Sequence, residues 1–364
     1  MLFSANGNPV GLPMHVLLLD LGIELRGGQR QVYYLARYLA EAPDISVLTA
    51  CPANGALAAL LRREGLPLLP LPGHSPLNPA LLWTLKRVLG NLDVLHTHDA
   101  NAATVGALCK TFHPALCLIH SRRVSYPLRT GARLWKYLKA DACAGVSQEI
   151  SDGMIRAGLP AHKVFTIHSG IDPNRYAPKR PRSNAPFLFQ SIGACTPQKG
   201  YSVLLRAMQN LLALPLPSWK VRIVGDGPLR TPLLEEAQQL GIADRLSMPG
   251  WKDSREVLPD CDALVVPSVD GEGSSGAIKE GWVTGVPVIC SSLLSNTELV
   301  QDGHNGLTAA VGDPQALADA MRRCLLDAPL RDQLVSAGSR SVLEFTDKRM
   351  ASAYLELYRR LRKG

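Results

Sequence analysis

Short aliphatic and β-branched runs recur along this chain without polar alternation, each followed by a stretch with helical spacing. That rhythm constrains the fold more than any other feature. In the first half the runs cover 15–20, 45–50, 67–72, 93–98, 115–120, 142–147 and 164–169, with helical segments such as 29–39 and 80–88 between them. A strand that is apolar on both faces must be covered on both faces. The pattern therefore predicts a parallel sheet wrapped by crossover helices. The rhythm breaks over 172–186, where Pro173, Pro178, Pro181 and Pro186 stand among basic and small polar residues, the composition of a linker. It restarts with runs at 187–193, 220–225, 246–249, 263–267, 287–291 and 307–311, and closes on helical segments at 314–326, 329–344 and 347–362.

The expected architecture is α/β, with two Rossmann-like doubly wound domains. Residues 1–172 form the first, 173–186 the linker and 187–345 the second, and a C-terminal helix over 346–364 packs back on the first domain. Open parallel sheets bind ligands beyond the carboxyl ends of their strands. With two such sheets, the cleft between the domains is the expected site.

Composition narrows the function classes. An apolar fraction of 46% excludes a largely disordered chain. The apolar runs fall far short of the roughly 20 residues of a membrane span. The first twenty residues lack a basic n-region and a cleavage site, so a soluble, cytoplasmic protein is expected. Eight cysteines are scattered without a C-x-x-C pair, mostly inside apolar runs, where they read as buried reduced thiols. The net charge of +8 is unevenly placed. Residues 1–180 hold 19 basic and 11 acidic side chains, and the remaining 20 and 20 cancel. An asymmetry of this kind points to an anionic partner for the first half.

Gly27 and Gly28 follow the first strand and open the first helix, where backbone can approach a phosphate. The same pair also fits a plain β–α turn, and the spacing is not the dinucleotide fingerprint G-x-G-x-x-G. Gly193 ends the first strand of the second half, and Lys199 stands at the following helix entrance, either over a phosphate or in solvent. Gly225–Asp226–Gly227–Pro228 repeats that strand–glycine–helix layout. The sharpest constellation places Glu272 and Glu280 eight residues apart, around Gly273, Ser274, Ser275 and Gly276. Free N–H groups of such a helix start face anionic or hydroxyl oxygens, and a carboxylate one turn in leans back toward them.

The run Pro267–Ser268…Glu272-x7-Glu280…Gly285–Val286–Pro287 resembles the nucleotide-sugar motif of retaining glycosyltransferases of family four, which have the two-domain GT-B fold. Further similar segments extend over nearly the whole chain, among them His96–Thr97–His98–Asp99, Ser169–Gly170–Ile171–Asp172 and Asp302–Gly303–His304–Asn305–Gly306. The segment His120–Ser121–Arg122–Arg123 is similar to bacterial members that build lipopolysaccharide and other envelope glycans.

The resemblance implies transfer of a hexose-type sugar, with retention, from a nucleoside diphosphate donor, UDP-sugar favoured, to a glycan or lipid-linked acceptor. It implies that Glu272 meets the donor sugar hydroxyls, Glu280 the ribose, Lys199 the diphosphate, Gly28 the phosphates, and His98 the reacting sugar. The chain is read as lacking an Asp-x-Asp metal motif and a His/Cys cluster, so a metal-independent reaction is expected, with no cofactor beyond the nucleotide-sugar substrate. One departure stands out: the arginine that usually accompanies the lysine is Ala194 here, with Arg30 and Arg222 as candidate substitutes.

Arg122, Arg123, Arg129, Arg133, Lys136 and Lys139 are expected to form a basic face toward an anionic acceptor or the inner membrane, Arg133, Lys136 and Lys139 sharing one helix face. An ordinary solvated face is the alternative. The competing functions are an epimerase or hydrolase on the same fold and a non-catalytic binding protein. Nucleic acid is not expected as a partner, for no helix-turn-helix, RRM or basic–aromatic motif accompanies the charge.

Overall fold

A computed structural model describes residues 13–128, 131, 134–182 and 186–362. The chain divides into two compact units. One runs to Gly170 and resumes at Asp347, and the other is Ile171–Thr346.

The first unit alternates β1 (Met14–Leu19), α1 (Gly27–Ala40), β2 (Ile45–Pro52), α2 (Ala56–Arg63), β3 (Leu68–Leu71), α3 (Pro79–Leu89) and β4 (Val94–Thr97). It continues through α4 (Ala100–Phe112), β5 (Cys117–Arg122), α5 (Trp135–Leu138), β6 (Ala142–Gly145), α6 (Gln148–Arg156) and β7 (Val164–Thr166). Local chemistry sets the helix starts. Asn78 caps α3 with Pro79 next to it, and Asp99 caps α4 through the N–H groups of Asn101 and Ala102.

The described strands pair in parallel in the order β3-β2-β1-β4-β5-β6-β7. The order reverses between β1 and β4. Leu19 pairs with Thr97 and Thr97 with His120, so Asp20, His98 and Ser121 emerge side by side at the carboxyl edge. This is the switch point at which such sheets take ligands.

The second unit runs β8 (Phe187–Ile192), α7 (Tyr201–Leu212), β9 (Trp219–Val224), α8 (Arg230–Gln239), β10 (Leu246–Ser247), α9 (Ser254–Val257) and β11 (Ala263–Val266). Then come α10 (Gly276–Thr284), β12 (Val288–Ser291), α11 (Leu294–Thr297), β13 (Leu307–Ala309), α12 (Pro314–Leu326) and α13 (Ala328–Ser341). Its parallel sheet has the order β10-β9-β8-β11-β12-β13, and its reversal lies between β8 and β11. The loops after those two strands carry Lys199 and Glu272.

The last helix, α14 (Asp347–Arg362), belongs to the first unit. Met350, Ala351, Tyr354, Leu355, Leu357 and Tyr358 share a core with Val32, Leu35 and Leu39 of α1 and Val16 and Leu18 of β1. Arg37 of α1 pairs with Asp347 at its start. Each fully buried aliphatic or aromatic side chain on this face contributes about 1.5–3 kcal/mol against exposure.

The proline-rich stretch before β8 is pinned to the second unit. Arg180 pairs with Asp260 at 2.8 Å, and Asp262 receives both Lys179 at 3.1 Å and Arg182 at 2.6 Å. Contrary to the expectation that no Asp-x-Asp motif is present, Asp260–Cys261–Asp262 has that spacing. Here its carboxylates are spent on these cations. No helix among the described residues is long and apolar enough to cross a membrane.

Candidate functional site

In the second unit, Gly200 lets the β8 loop touch the β11 loop, and Gly225 lets the β9 loop touch the end of β8. A Cβ on Gly200 (φ 65°) would fall 2.1 Å from the Pro267 carbonyl oxygen, and one on Gly225 (φ 152°) would fall 1.9 Å from that of Gly193. The β8–β11 contact is tied by the Val269 N–H, which donates to the Gln198 carbonyl at 2.9 Å. Lys199 ends a short 3-10 turn over Pro197–Lys199 that precedes α7. This geometry brings Lys199 Nζ to 2.7 Å from Glu272 Oε1, where Ser268 Oγ also donates at 2.5 Å. Glu272 is buried, so two donors on one carboxylate oxygen hold it in place.

Gly273, Ser274 and Ser275 complete the loop, and Gly276 begins α10. Glu280 Oε1 accepts from the Tyr176 hydroxyl at 3.0 Å. Between the two glutamates lies Lys279, which the sequence reading leaves unremarked. It is fully buried, its ammonium donates to Ser274 Oγ at 2.6 Å and lies over the Phe345 ring, and burial pushes it down to about 7, opposed by Glu298. Lys279 thus fixes the loop preceding its own helix.

A Cβ at Gly276 or Gly27 would meet nothing within 4 Å, and at Gly28 only Arg123 Cδ at 3.5 Å. The fold's own packing does not require glycine at these helix starts.

The candidate substitutes for the arginine missing at Ala194 are placed as follows. Arg222 is spent inside its own unit, donating to Gln190 Oε1 at 2.6 Å and to the Val257 carbonyl at 2.9 Å. Arg30 stands in the first turn of α1, in the other unit.

In the first unit, His98 is buried at the carboxyl edge, with its ring 4.0 Å from that of His96 and its Nδ1 3.2 Å from Arg123 Nη2. Burial first, then the neighbouring His96 and Arg123, holds His98 well below the ordinary histidine range, so its ring is neutral. Asp20 is buried beside them. Burial and the nearby Asp99 raise it to about 6, against hydrogen bonds from Gln29 and the Gly22 N–H.

The expected basic face does not form as a unit among the described residues. Arg123 turns inward onto His98. Lys136 is half-buried and donates to the Ala100 carbonyl at 2.7 Å and to Thr104 Oγ1 at 3.1 Å. Arg122 bends onto the Tyr126 carbonyl and the Tyr137 hydroxyl. Lys139 is exposed beyond α5, which is a single turn too short to present three cations on one face. Arg129 and Arg133 lie outside the described residues. The physical reason is that nearby backbone carbonyls and side-chain groups take up the donors of these cations.

Residues 25–175 match the family described as Glycosyltransferase Family 4, and residues 187–327 match Glycosyl transferases group 1. The lipopolysaccharide core biosynthesis glycosyltransferase LpsE of Rhizobium meliloti (strain 1021) is 30% identical over 244 residues, 65% of this chain and 68% of that protein. The chain belongs to glycosyltransferase family four.

A putative colanic acid biosynthesis glycosyltransferase, WcaL of Salmonella typhimurium (strain LT2), is 31% identical over 170 residues, 44% of this chain and less than half, 42%, of that protein. The crystal structure of Anabaena Alr3699/HepE in complex with UDP and glucose superposes with a TM-score of 0.81 at 21% identity, covering 94% of this chain and 99% of that one. That likeness establishes the GT-B fold class.

Sequence reasoning on this glycosyltransferase missed the support behind His98. His96 Nδ1 meets the Tyr358 hydroxyl at 2.6 Å, His96 Nε2 meets Ser121 Oγ at 2.8 Å, and Ser121 Oγ meets the Tyr354 hydroxyl at 2.7 Å. The signal available was Tyr354 and Tyr358, one helical turn apart on an otherwise apolar face. Among the described residues no three His, Cys, Asp or Glu side chains converge to hold a metal ion.

Proposed function

We propose that this glycosyltransferase moves a hexose-type sugar from a UDP-sugar to a glycan or lipid-linked acceptor of the bacterial envelope, with retention of anomeric configuration and without a metal. The observation that carries the reading is the ion pair Lys199–Glu272 at 2.7 Å, set at the carboxyl edge beside the start of α10. A donor diphosphate competes with Glu272 for the lysine. When the ammonium moves to phosphate, the carboxylate is released to accept from sugar hydroxyls. The uncrowded glycines at 27, 28 and 276 support close approach of ligand oxygens to two helix starts.

In the reaction, the bond from the sugar C1 to the diphosphate oxygen breaks, and a bond from C1 to the acceptor oxygen forms on the same face. The acceptor proton passes to the departing diphosphate. Lys199 and the α10 start stabilise the charge that develops there. His98, buried beside Arg123, offers an Nε2–H donor near the bond between sugar and phosphate rather than charge.

An envelope acceptor is supported by the named relatives and by the +8 carried in residues 1–180. Peripheral contact with the inner membrane is part of the proposal. Vesicle co-sedimentation indifferent to anionic lipid and to salt would remove that part. The activity is tested by incubating the full chain with a panel of nucleoside diphosphate sugars and lipid-linked or glycan acceptors, and reading products by NMR. Transfer from UDP-sugars with an unchanged anomeric configuration is expected. Hydrolysis or epimerisation with no transfer to any acceptor would refute it.

A further inference from the structure

Arg123 was expected on a surface face, and its surroundings give it a different role. Its Nη2 lies 3.2 Å from His98 Nδ1. A guanidinium has five N–H donors and no acceptor, so this bond has one sense: Arg123 donates and Nδ1 accepts. A neutral imidazole with Nδ1 as acceptor carries its proton on Nε2. That Nε2 is buried and meets no partner among the described residues, and the same is true of Nε and Nη1 of Arg123. Two touching side chains therefore hold three buried donor nitrogens that lack an acceptor among the described residues.

The first turn of α1 lies alongside, because the nearest atom to a Cβ on Gly28 would be Arg123 Cδ at 3.5 Å. A helix start adds further donors and positive potential. The neighbouring acid, Asp20, feels the charge of Arg123 but accepts from Gln29 Nε2 at 3.0 and 3.1 Å and from the Gly22 N–H at 2.8 Å. Buried donors in excess call for a ligand that offers only acceptors, and an ionised phosphate is that ligand.

We propose that Arg123, with His98 Nε2–H and the start of α1, binds a phosphate oxyanion in the first unit, and that Arg123 positions His98 as a fixed hydrogen-bond donor. The source of the phosphate rests on the function proposed above: it is either the donor diphosphate or a phosphate on the acceptor.

The test uses the full chain and Arg123→Met, with Arg123→Lys as the conservative variant. Calorimetry measures UDP, uridine, and inorganic phosphate added to UDP-saturated protein. If the donor supplies the phosphate, Arg123→Met weakens UDP about ten- to a hundredfold, leaves uridine unchanged, and Arg123→Lys recovers part of the loss. If the acceptor supplies it, UDP is unchanged and inorganic phosphate binding is lost. In either case, nitrogen-detected NMR of the wild type at pH 8 shows His98 as the Nε2–H tautomer, and Arg123→Met removes the donor that fixes that tautomer. Unchanged binding of both UDP and phosphate in Arg123→Met overturns the proposal. So does an equal loss for uridine, or a wild-type His98 protonated on Nδ1. Should UDP fail to bind the wild type, the nucleotide reading fails, while phosphate measured without UDP still tests Arg123.

Discussion

Lys199 and Glu272 make opposite demands on one another with and without a nucleotide, and this gives variants of opposite sign. The Lys199 side chain keeps 29% exposure and Glu272 9%. Breaking a fully buried pair costs about 3–5 kcal/mol, and a surface pair is worth about 0–1. With one partner buried and the other nearly a third exposed, Lys199→Met is expected to cost about 1–2 kcal/mol, a drop in Tm of about 2–8 °C for a unit of this size. The same change removes a charge-assisted contact to phosphate, expected to weaken UDP about tenfold to a hundredfold. Glu272→Gln should act the other way. It frees the ammonium from a full ion pair before UDP arrives, so UDP binds about two- to tenfold tighter while sugar transfer collapses. In the double variant Lys199→Met, Glu272→Gln, stability should return toward wild type because no buried carboxylate is left unpaired, whereas UDP affinity should not. Calorimetry for UDP and thermal unfolding for stability decide the matter. If Lys199→Met binds UDP within twofold of wild type and Glu272→Gln leaves affinity unchanged, the competition argument is wrong.

Two further outcomes follow from buried polar groups away from that pair. Lys279 is held at about 7 against an unfolded value near 10.5, so between those pH values the unfolded chain binds more protons than the native one. Stability should therefore rise with pH across that window, by up to about 1.4 kcal/mol per pH unit from this group. Lys279→Met should lose that slope in unfolding measured from pH 7 to 9, and an identical slope in the variant would refute the assignment. Tyr358→Phe leaves His96 Nδ1 buried without its 2.6 Å partner, which should cost about 1–3 kcal/mol of stability in chemical denaturation. An unchanged midpoint and slope would mean that the contact contributes nothing.

The fold was legible because its signal is local and repeated. Val16–Leu19, Ala142–Gly145 and Ala263–Val266 are apolar on both faces, and in a parallel α/β sheet that demand is met by helices on both sides. The meeting of Lys199 and Glu272 was legible for a related reason: both residues and the α10 start sit on loops that follow strands at one switch point. What could not be read is what depends on pairing across long separations. Tyr358 meets a histidine 262 residues earlier, and no pattern near either residue names the other. Arg122 and Arg123 are adjacent and identical in type. One turns to a backbone carbonyl and the other into the sheet edge, a choice made by the space beside Gly28 and His98 rather than by the local sequence.

That choice bears on the uneven charge. A surplus of +8 in residues 1–180 suggests a surface that attracts an anion, but several of those cations staple the fold to itself. Lys110 bridges Asp141 and the Leu116 carbonyl, Lys163 reaches the Ala140 carbonyl, Arg62 the Ala53 carbonyl, and Lys136 the start of α4. A cation that satisfies a backbone carbonyl leaves its full charge in the sum while its donors are taken. Net charge therefore overstates what an approaching acceptor meets on the outside. Arg123 differs from those staples: it contributes equally to the sum, yet two of its nitrogens have no acceptor among the described residues. If electrostatics selects the acceptor or the donor in this unit, the selective charge is a single buried guanidinium with unfilled donors, and the outer lysines set only the long-range field.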